Sequence, residues 1–286
     1  MSKSTLSINT INPNVSEILM LLLKNKGIDL NGSNSDFLIR RINRRLKATN
    51  SLDYKSYINY LKNNIIEFDH LADILTINIS RFFRDAFTYH YIRRIIIPKL
   101  FAEKIRTRNN DIRIWSAGCA TGEEPYSIAM ILDQYINDNK LDFKVNIFAT
   151  DINEKSLNTA RNAEYTEEVF QEIEFAYLSK YFTSQNNKYK LIQKIKDQVH
   201  FSTFDLLSKK SQAPEESIFG NFDIIFCRNV LIYFNNEYQH RILKKLRNTM
   251  HESSYLILGE SEDPLLKHSN LFLRNTDLFK IFQKKG

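Results

Sequence analysis

The sequence predicts an α/β protein in two parts: an all-helical N-terminal domain, then a doubly wound domain built on a mainly parallel sheet. Three observations carry that prediction. Apolar residues recur at helical spacing from Val15 to about Ile97. Beyond Pro98, short β-rich runs alternate with helical ones, the pattern of a sheet covered by helices. Between them the segment Ile114 to Ser127, I-W-S-A-G-C-A-T-G-E-E-P-Y-S, reads as strand, glycine loop and helix in succession.

Taken in order, residues 1–14 are polar and rich in Ser, Asn and Thr, and are expected to form a flexible tail that is neither signal peptide nor anchor. Candidate helices follow at 15–26, 35–48, 53–63, 66–77 and 85–97, separated by turn formers such as Gly27-Ile28-Asp29 and Asn31-Gly32-Ser33-Asn34. Pro98 and the charged segment Lys104 to Asp111 then set a domain boundary at 97/98. Strands are expected at 112–117, 145–150, 199–204, 222–227 and 255–259, with 271–283 as a closing hairpin. The interval 163–197 is too long for an ordinary crossover and is read as a small inserted β subdomain, with Tyr189-Lys190-Leu191-Ile192 as a strand.

Composition narrows the class. No apolar run approaches the roughly 18–20 residues of a membrane span, so no membrane insertion is expected, and two cysteines without a disulfide framework make a reducing cytoplasm the natural setting. Cys119, Cys227 and six scattered histidines offer no disulfide framework and no metal spacing, so no metal is expected. The net charge of +7 is uneven. Residues 1–95 hold 14 Lys and Arg against 8 Asp and Glu, whereas the remainder is nearly balanced, which points to an acidic partner for the first third.

The chemistry concentrates at strand ends. Gly118 and Gly122 fall four apart just after a strand, where glycine lets the backbone approach a ligand, and Pro125 sits in the first turn of the following helix. The spacing is neither G-x-G-x-x-G nor G-x-x-x-x-G-K-S/T, and Glu123 and Glu124 repel phosphate. Such a loop suits a neutral or cationic ligand, and S-adenosylmethionine, with its sulfonium and ammonium charges, fits. Asp151 ends the second strand, placed to accept from both ribose hydroxyls or, alternatively, to cap the helix near Asn153. Asp205 and Leu206 end the third strand, suited to an adenine amino group and ring face, though a strand-end Asp is also a common turn former. The buried run Phe222 to Cys227 leads straight into Arg228 and Asn229, with Tyr233 close behind; the competing reading pairs Arg228 with a helix carboxylate and puts Tyr233 in the core. Cys119 and Cys227 read as small buried fillers, and Gly259-Glu260-Ser261-Glu262-Asp263 as a loop closing the acceptor cleft with its acids solvated.

Four ordered motifs, N-I-S-R-F-F-R at 78–84, W-S-A-G-C-A-T-G-E-E-P-Y-S at 115–127, F-A-T-D-I-N at 148–153 and F-C-R-N-V-L-I-Y-F at 226–234, together resemble the CheR family. These enzymes esterify glutamates on bacterial chemotaxis receptors. The resemblance spans about residues 15 to 283 and implies a Rossmann-like S-adenosylmethionine-dependent methyltransferase domain behind the helical one, with S-adenosylhomocysteine as product. It implies that Asn78, Ser80 and Arg84 face the cofactor or reaction centre, the family commonly having Thr at Ser80. Glu124 would meet the methionine ammonium from the Gly118 loop, Asp151 the ribose, and Asp205 with Leu206 the adenine, where relatives also carry Asn. Arg228, Asn229 and Tyr233 would line the methyl-transfer end, with Arg84 holding the incoming carboxylate and Tyr233 walling it. The residues alone read Arg81 to Arg84 as an amphipathic helix segment with Phe82 and Phe83 in the core.

Between Arg40 and Lys47, Arg40, Arg41, Arg44 and Arg45 fall opposite Leu38, Ile39, Ile42 and Leu46 at 100° per residue. A solvated face and a nucleic-acid stripe are two readings. The family favours a third, in which Arg40, Arg44 and Arg45 bind the acidic methylation helices of the receptor. A nucleic-acid methyltransferase is the alternative enzyme, but the chain lacks the N/D-P-P-Y/F motif that grips an exocyclic amine, so no nucleic-acid partner is expected. A catalytically silent binding module is the other alternative. Some relatives dock a receptor C-terminal pentapeptide through a glycine-containing loop of the insert; the corresponding Phe182 to Tyr189 has no glycine, so tethering is expected to be absent or weak.

Overall fold

The computed structural model describes residues 12–26, 28, 30, 33–75, 80–217, 220–262 and 271–284. Four helices come first along the chain: α1 (Pro13–Lys26), α2 (Ser35–Ala48), α3 (Tyr54–Asn63) and α4 (Ile65–Leu75). Pro13 opens α1, where its missing N–H costs nothing, so residues 13 and 14 are helical; the rest of the expected tail, except Asn12, lies outside the described residues. Asn34 caps α2 by accepting from the N–H groups of Asp36 and Phe37, and Asp53 caps α3 in a reciprocal box with Ser56. Val15, Ile18, Leu22, Leu38, Ile42 and Leu61 recur at helical spacing and are fully buried in one core. Ile232–Gln239 belongs to this same compact unit. Its Phe234 bridges to Ser33, and the N–H of Asn34 donates to the Tyr233 carbonyl at 2.8 Å.

The second unit begins at residue 79, well before the 97/98 boundary that the sequence suggests. Helix α5 (Ala86–Tyr91), a π-helical stretch (Ile92–Ile96) and α6 (Ile97–Arg106) explain the difference. Pro98 lies in the first turn of α6, where a missing donor is tolerated, so it does not end the helical run. Ile92, Ile96, Ile97 and Phe101 then bury in the same core as Ile112 and Ile114 of the first strand. These helices share the core of the sheet.

The sheet elements follow in order as β1 (Asp111–Ala117), α7 (Glu123–Asp138), β2 (Lys144–Asp151) and α8 (Glu154–Asn162). The insert supplies β3 (Glu164–Tyr165), α9 (Phe175–Tyr181), β4 (Phe182–Gln185), β5 (Lys188–Leu191) and α10 (Gln193–Lys196). Then come β6 (Val199–Thr203), β7 (Phe222–Cys227), α11 (Asn236–Thr249), β8 (Met250–Leu258), β9 (Phe272–Arg274) and β10 (Ile281–Lys284). The strand order is β6-β2-β1-β7-β8-β10-β9; the first five run parallel, and β10 is antiparallel to both its neighbours. From β1 the chain winds outward to β2 and β6, then returns to β7 and β8 on the other side. Order therefore reverses between β1 and β7, and at such a switch point the loops diverge and open a crevice beyond the strands' carboxyl ends.

The insert is a three-stranded antiparallel sheet, β3-β5-β4, close to its expected limits. Asn186 and Asn187 turn β4 into β5 with φ of +51° and +58°. Asparagine tolerates that left-handed backbone, so this hairpin turns tightly without glycine. Phe82 anchors the insert, its ring 5.0–5.2 Å from those of Tyr165, Phe170 and Phe182. Phe82 and Phe83 are buried, as their pattern predicts, but their backbone forms a turn and not the expected helix segment.

Candidate active site

The glycine loop after β1 is wedged between two neighbours. Gly118 and Cys119 donate their N–H groups to the Thr150 carbonyl at 2.7 and 2.9 Å. Gly118 has φ of +84°, and a Cβ there would come within 2.4 Å of a Val230 methyl, so only glycine fits under the turn that follows β7. The loop delivers two carboxylates to the first turn of α7. Glu123 accepts from the Thr121 hydroxyl at 2.7 and 2.8 Å and from that of Ser80. Glu124 accepts from the Ser116 hydroxyl at 2.7 Å and faces Arg228, with Oε2 3.6 Å from Nη1. Burial pushes both carboxyls above the usual carboxylate range.

Asp151 ends β2, buried, accepting from the N–H groups of Ala120 and Asn153 at 2.9 Å each. It does not cap α8; Asn153 does, by accepting from Lys155 and Ser156. An ionised carboxylate offers about four acceptor sites, so acceptor capacity remains for a ligand hydroxyl beyond these backbone donors. Its pKa too is raised by burial. Beyond β6, the Phe204 N–H donates to the Asp151 carbonyl at 3.1 Å, which sets Asp205 and Leu206 beside it. Leu206 is buried, and Asp205 is exposed and accepts from the Leu207 N–H at 2.8 Å, the turn-forming role its position allows. A cleft of about 520 Å³ opens there, lined in part by Phe204, Asp205 and Ser208.

Arg84 is carried on a strained turn. Phe83 and Asp85 on either side of it have φ of +55° and +64°. Left-handed backbone at two such residues persists only where the surroundings enforce it. Here the Phe82 N–H donates to the Val169 carbonyl (3.0 Å), the Phe83 N–H to the Ser127 hydroxyl (3.0 Å) and the Ala86 N–H to Glu172 (3.2 Å). Arg228 closes the turn from the sheet side, its Nη2 donating to the Arg84 carbonyl at 2.8 Å and to the Asp85 carboxylate at 2.5 Å. The Arg228 guanidinium lies over the Tyr89 ring at 5.2 Å, and its Nε is buried with no hydrogen-bond partner among the described residues. Arg228 thus pairs with carboxylates, as the competing reading had it, while sitting at the sheet edge that the ligand reading requires.

Asn229 adopts φ of +60° directly after Arg228. Its N–H, with those of Leu231 and Gly259, converges on Glu262 at 2.9, 2.7 and 2.6 Å. Glu262 is 5% exposed, which corrects the reading of it as solvated, since a carboxylate with three backbone donors does not need water; Glu260 is exposed as expected, and Asp263 lies outside the described residues. Sequence reasoning also missed Asp85 and Ser116. Asp85 directly follows a motif arginine, but its role depends on a left-handed backbone that no residue pattern announces. Burial raises the thiol pKa of Cys119 and Cys227 well above the usual range, as suits inert fillers. No cluster of three or more metal-ligating side chains occurs among the described residues.

In the helical unit, Arg40 and Arg44 are exposed on α2. Arg45 is not presented with them. Its Nε and Nη2 grip Glu67 at 2.8 and 2.7 Å, and Glu67 also accepts from the Tyr57 hydroxyl at 2.8 Å, so the guanidinium turns inward to satisfy a buried acid. Arg41 lies 5.6 Å over the Phe37 ring, and Tyr233 packs against the same ring at 5.0 Å. Asn78 lies outside the described residues.

Buried carboxylates in a glycine loop and at the next strand end, beside a switch point, suit a cationic nucleoside more than any phosphorylated one. The buried, unpartnered Arg228 Nε and the spare acceptor sites of Asp151 are consistent with a ligand that completes them. Residues 78–279 match the CheR methyltransferase, SAM binding domain, and residues 13–76 match the CheR methyltransferase, all-alpha domain. The protein is therefore an S-adenosylmethionine-dependent methyltransferase, and it belongs to the CheR family. It is 33% identical over 264 residues to the "Chemotaxis protein methyltransferase" of Borreliella burgdorferi, covering 91% of this chain and 92% of that one. The proteins of the same name from Escherichia coli and Salmonella typhimurium are 33% and 32% identical over 252 residues, covering 86% of this chain and 82% of theirs. Among solved structures, the glycopeptide N-methyltransferase MtfA with S-adenosyl-L-methionine gives a TM-score of 0.32 at 11% identity over 55% of this chain and 51% of that one, a likeness too slight to argue from.

Proposed function

We propose that this chain methylates glutamate side chains in the cytoplasmic methylation helices of chemoreceptors, forming glutamyl methyl esters. The observation that carries the reading is the Arg84 turn, held in strained backbone by Arg228 beside the Glu124 carboxylate. Asp151 would take the ribose, Glu124 the methionine ammonium and Asp205 with Leu206 the adenine, while Ser80, Gly118 and Asn229 complete the surround. Asn78 is proposed on sequence alone. S-adenosylmethionine supplies a sulfonium methyl to the acceptor oxygen and leaves as the neutral thioether S-adenosylhomocysteine. The acceptor needs no general base, because a glutamate of pKa about 4.3 is already ionised at neutral pH. What the enzyme must supply is alignment, and Arg84 offers a planar fork of donors that fits a carboxylate. Tyr233 is proposed as the wall of the acceptor site.

Arg40 and Arg44 are proposed to steer the acidic receptor helices, with Arg45 acting through its hold on Glu67. The cytoplasm is proposed as the location; among the described residues no helix is long and apolar enough to cross a membrane. Tethering to a receptor C-terminal pentapeptide is proposed to be absent or weak, since the insert hairpin turns on Asn186-Asn187 without a glycine loop. Measurable affinity for that pentapeptide would refute it.

The test is transfer of labelled methyl from S-adenosylmethionine to receptor cytoplasmic fragments, with release of label by mild alkali. Alkali-labile label that falls at least about 100-fold in Arg84→Ala supports the reading. Cofactor binding without label would refute the acceptor. Reversing Arg40 and Arg44 to Glu should weaken the receptor interaction about tenfold at low salt and less at high salt.

A further inference from the structure

We infer that Glu262 is a positioning residue for the cofactor site, fixing the Asn229–Val230–Leu231 turn as the roof over the glycine loop. The inference rests on reading Gly118 and Asn229 as cofactor contacts. Glu262 follows β8, two strands away from the glycine loop, yet its carboxylate gathers one N–H from the end of its own strand and two from the turn after β7. Oε1 accepts from Leu231 at 2.7 Å, while Oε2 accepts from Asn229 at 2.9 Å and from Gly259 at 2.6 Å. The turn it holds runs through a left-handed Asn229, a conformation asparagine tolerates and the Glu262 carboxylate then fixes through the flanking N–H groups. The same turn carries Val230, whose methyl stands 2.4 Å from where a Gly118 Cβ would be. The loop after β1 therefore packs directly under the turn that Glu262 holds after β7. Gly259 shows how closely the parts are fitted: a Cβ there would lie 2.8–2.9 Å from Asn229 and from Glu262 Oε2.

The chemistry demands a carboxylate. Three donors need acceptor sites on two oxygens, and a glutamine amide presents only one oxygen. Whichever way the amide turns, its NH₂ faces at least one backbone N–H, so the turn must shift. A positioning role predicts that the shift is read in cofactor affinity and not only in folding stability. Calorimetric titration of the purified full chain with S-adenosylhomocysteine should show Kd raised about tenfold or more in Glu262→Gln. Gly259→Ala, which crowds the same turn from the other side, should raise Kd in the same direction. Asp151→Ala serves as the control for the underlying reading. If it weakens binding while Glu262→Gln and Gly259→Ala bind as the parent does, or lose only thermal stability, the positioning role is wrong. If Asp151→Ala also binds normally, the site reading fails and takes the inference with it.

Discussion

The two ends of the central sheet both bury acidic side chains, and they neutralise them in opposite ways. At the amino end of β7, Asp223 is fully buried and meets cations and a backbone donor from every side: Lys104 Nζ at 2.8 Å, His251 Nε2 at 2.5 Å and the Arg113 N–H at 2.8 Å. At the carboxyl ends, Glu123 and Asp151 are met by hydroxyl and backbone N–H groups, and burial holds their pKa values up. One end is electrostatically complete, whereas the other keeps acceptor capacity for something not part of the chain.

Removing the central acid of the complete end should have the largest effect. Asp223→Ala strands the buried Lys104 ammonium, and breaking such a pair costs about 3–5 kcal/mol. Urea unfolding should show that loss, while the remaining folded protein binds S-adenosylhomocysteine as before. A matching loss of affinity would mean that the two ends are not independent. Asp151→Ala should do the reverse. Two ribose hydrogen bonds to a charged acceptor, at about 1.5–3 kcal/mol each before compensation, imply an affinity loss on the order of 100-fold. Its midpoint in urea should move little, because the deletion also removes a carboxylate held above its ordinary pKa by burial.

The comparison also shows what the residues disclosed and what they hid. The strand–glycine loop–helix run and the apolar strands were plain, because periodicity and glycine placement are local signals. Both domain types and the alternation of strands with helices followed from them. The Pro98 boundary misled, since a proline in the first turn of a helix reads the same as one that ends a helix. Arg45 looked like part of a solvent stripe because helical phase places it there, while its partner Glu67 comes from another helix. Glu262 and Asp85 were hidden for a shared reason. Each matters through backbone N–H groups or left-handed turns brought together by the sheet, and neither has a residue signature.

Acidity offers a way to sharpen the contrast at the ligand end. A bound cation favours ionised Glu124 and Asp151, whose carboxyls burial holds above the usual range. Affinity for S-adenosylmethionine should thus fall as pH drops through those raised values, by at most about tenfold per pH unit for each proton taken up. S-adenosylhomocysteine, which lacks the sulfonium charge, should show a shallower dependence in the same titration. Equal slopes for the two ligands would remove the sulfonium from the account.

The complete end should respond to acid in the opposite direction, with the smallest effect of the set. The hydrogen bond to Asp223 raises the His251 pKa above its ordinary 6.5. A histidine whose folded pKa exceeds its unfolded one contributes its stability fully below the unfolded value, and loses it as pH rises through the folded value. Acidification from pH 8 to 6 should therefore strengthen the Asp223 cluster. His251 is 38% exposed, so solvent screens the pair and the gain should be about 1 kcal/mol or less. Urea midpoints of the parent and His251→Gln, compared at pH 6 and pH 8, measure it directly. The difference between the two proteins should be larger at pH 6, and a larger difference at pH 8 would mean that His251 works as a neutral packing group, leaving Lys104 as the cation that completes this end of the sheet.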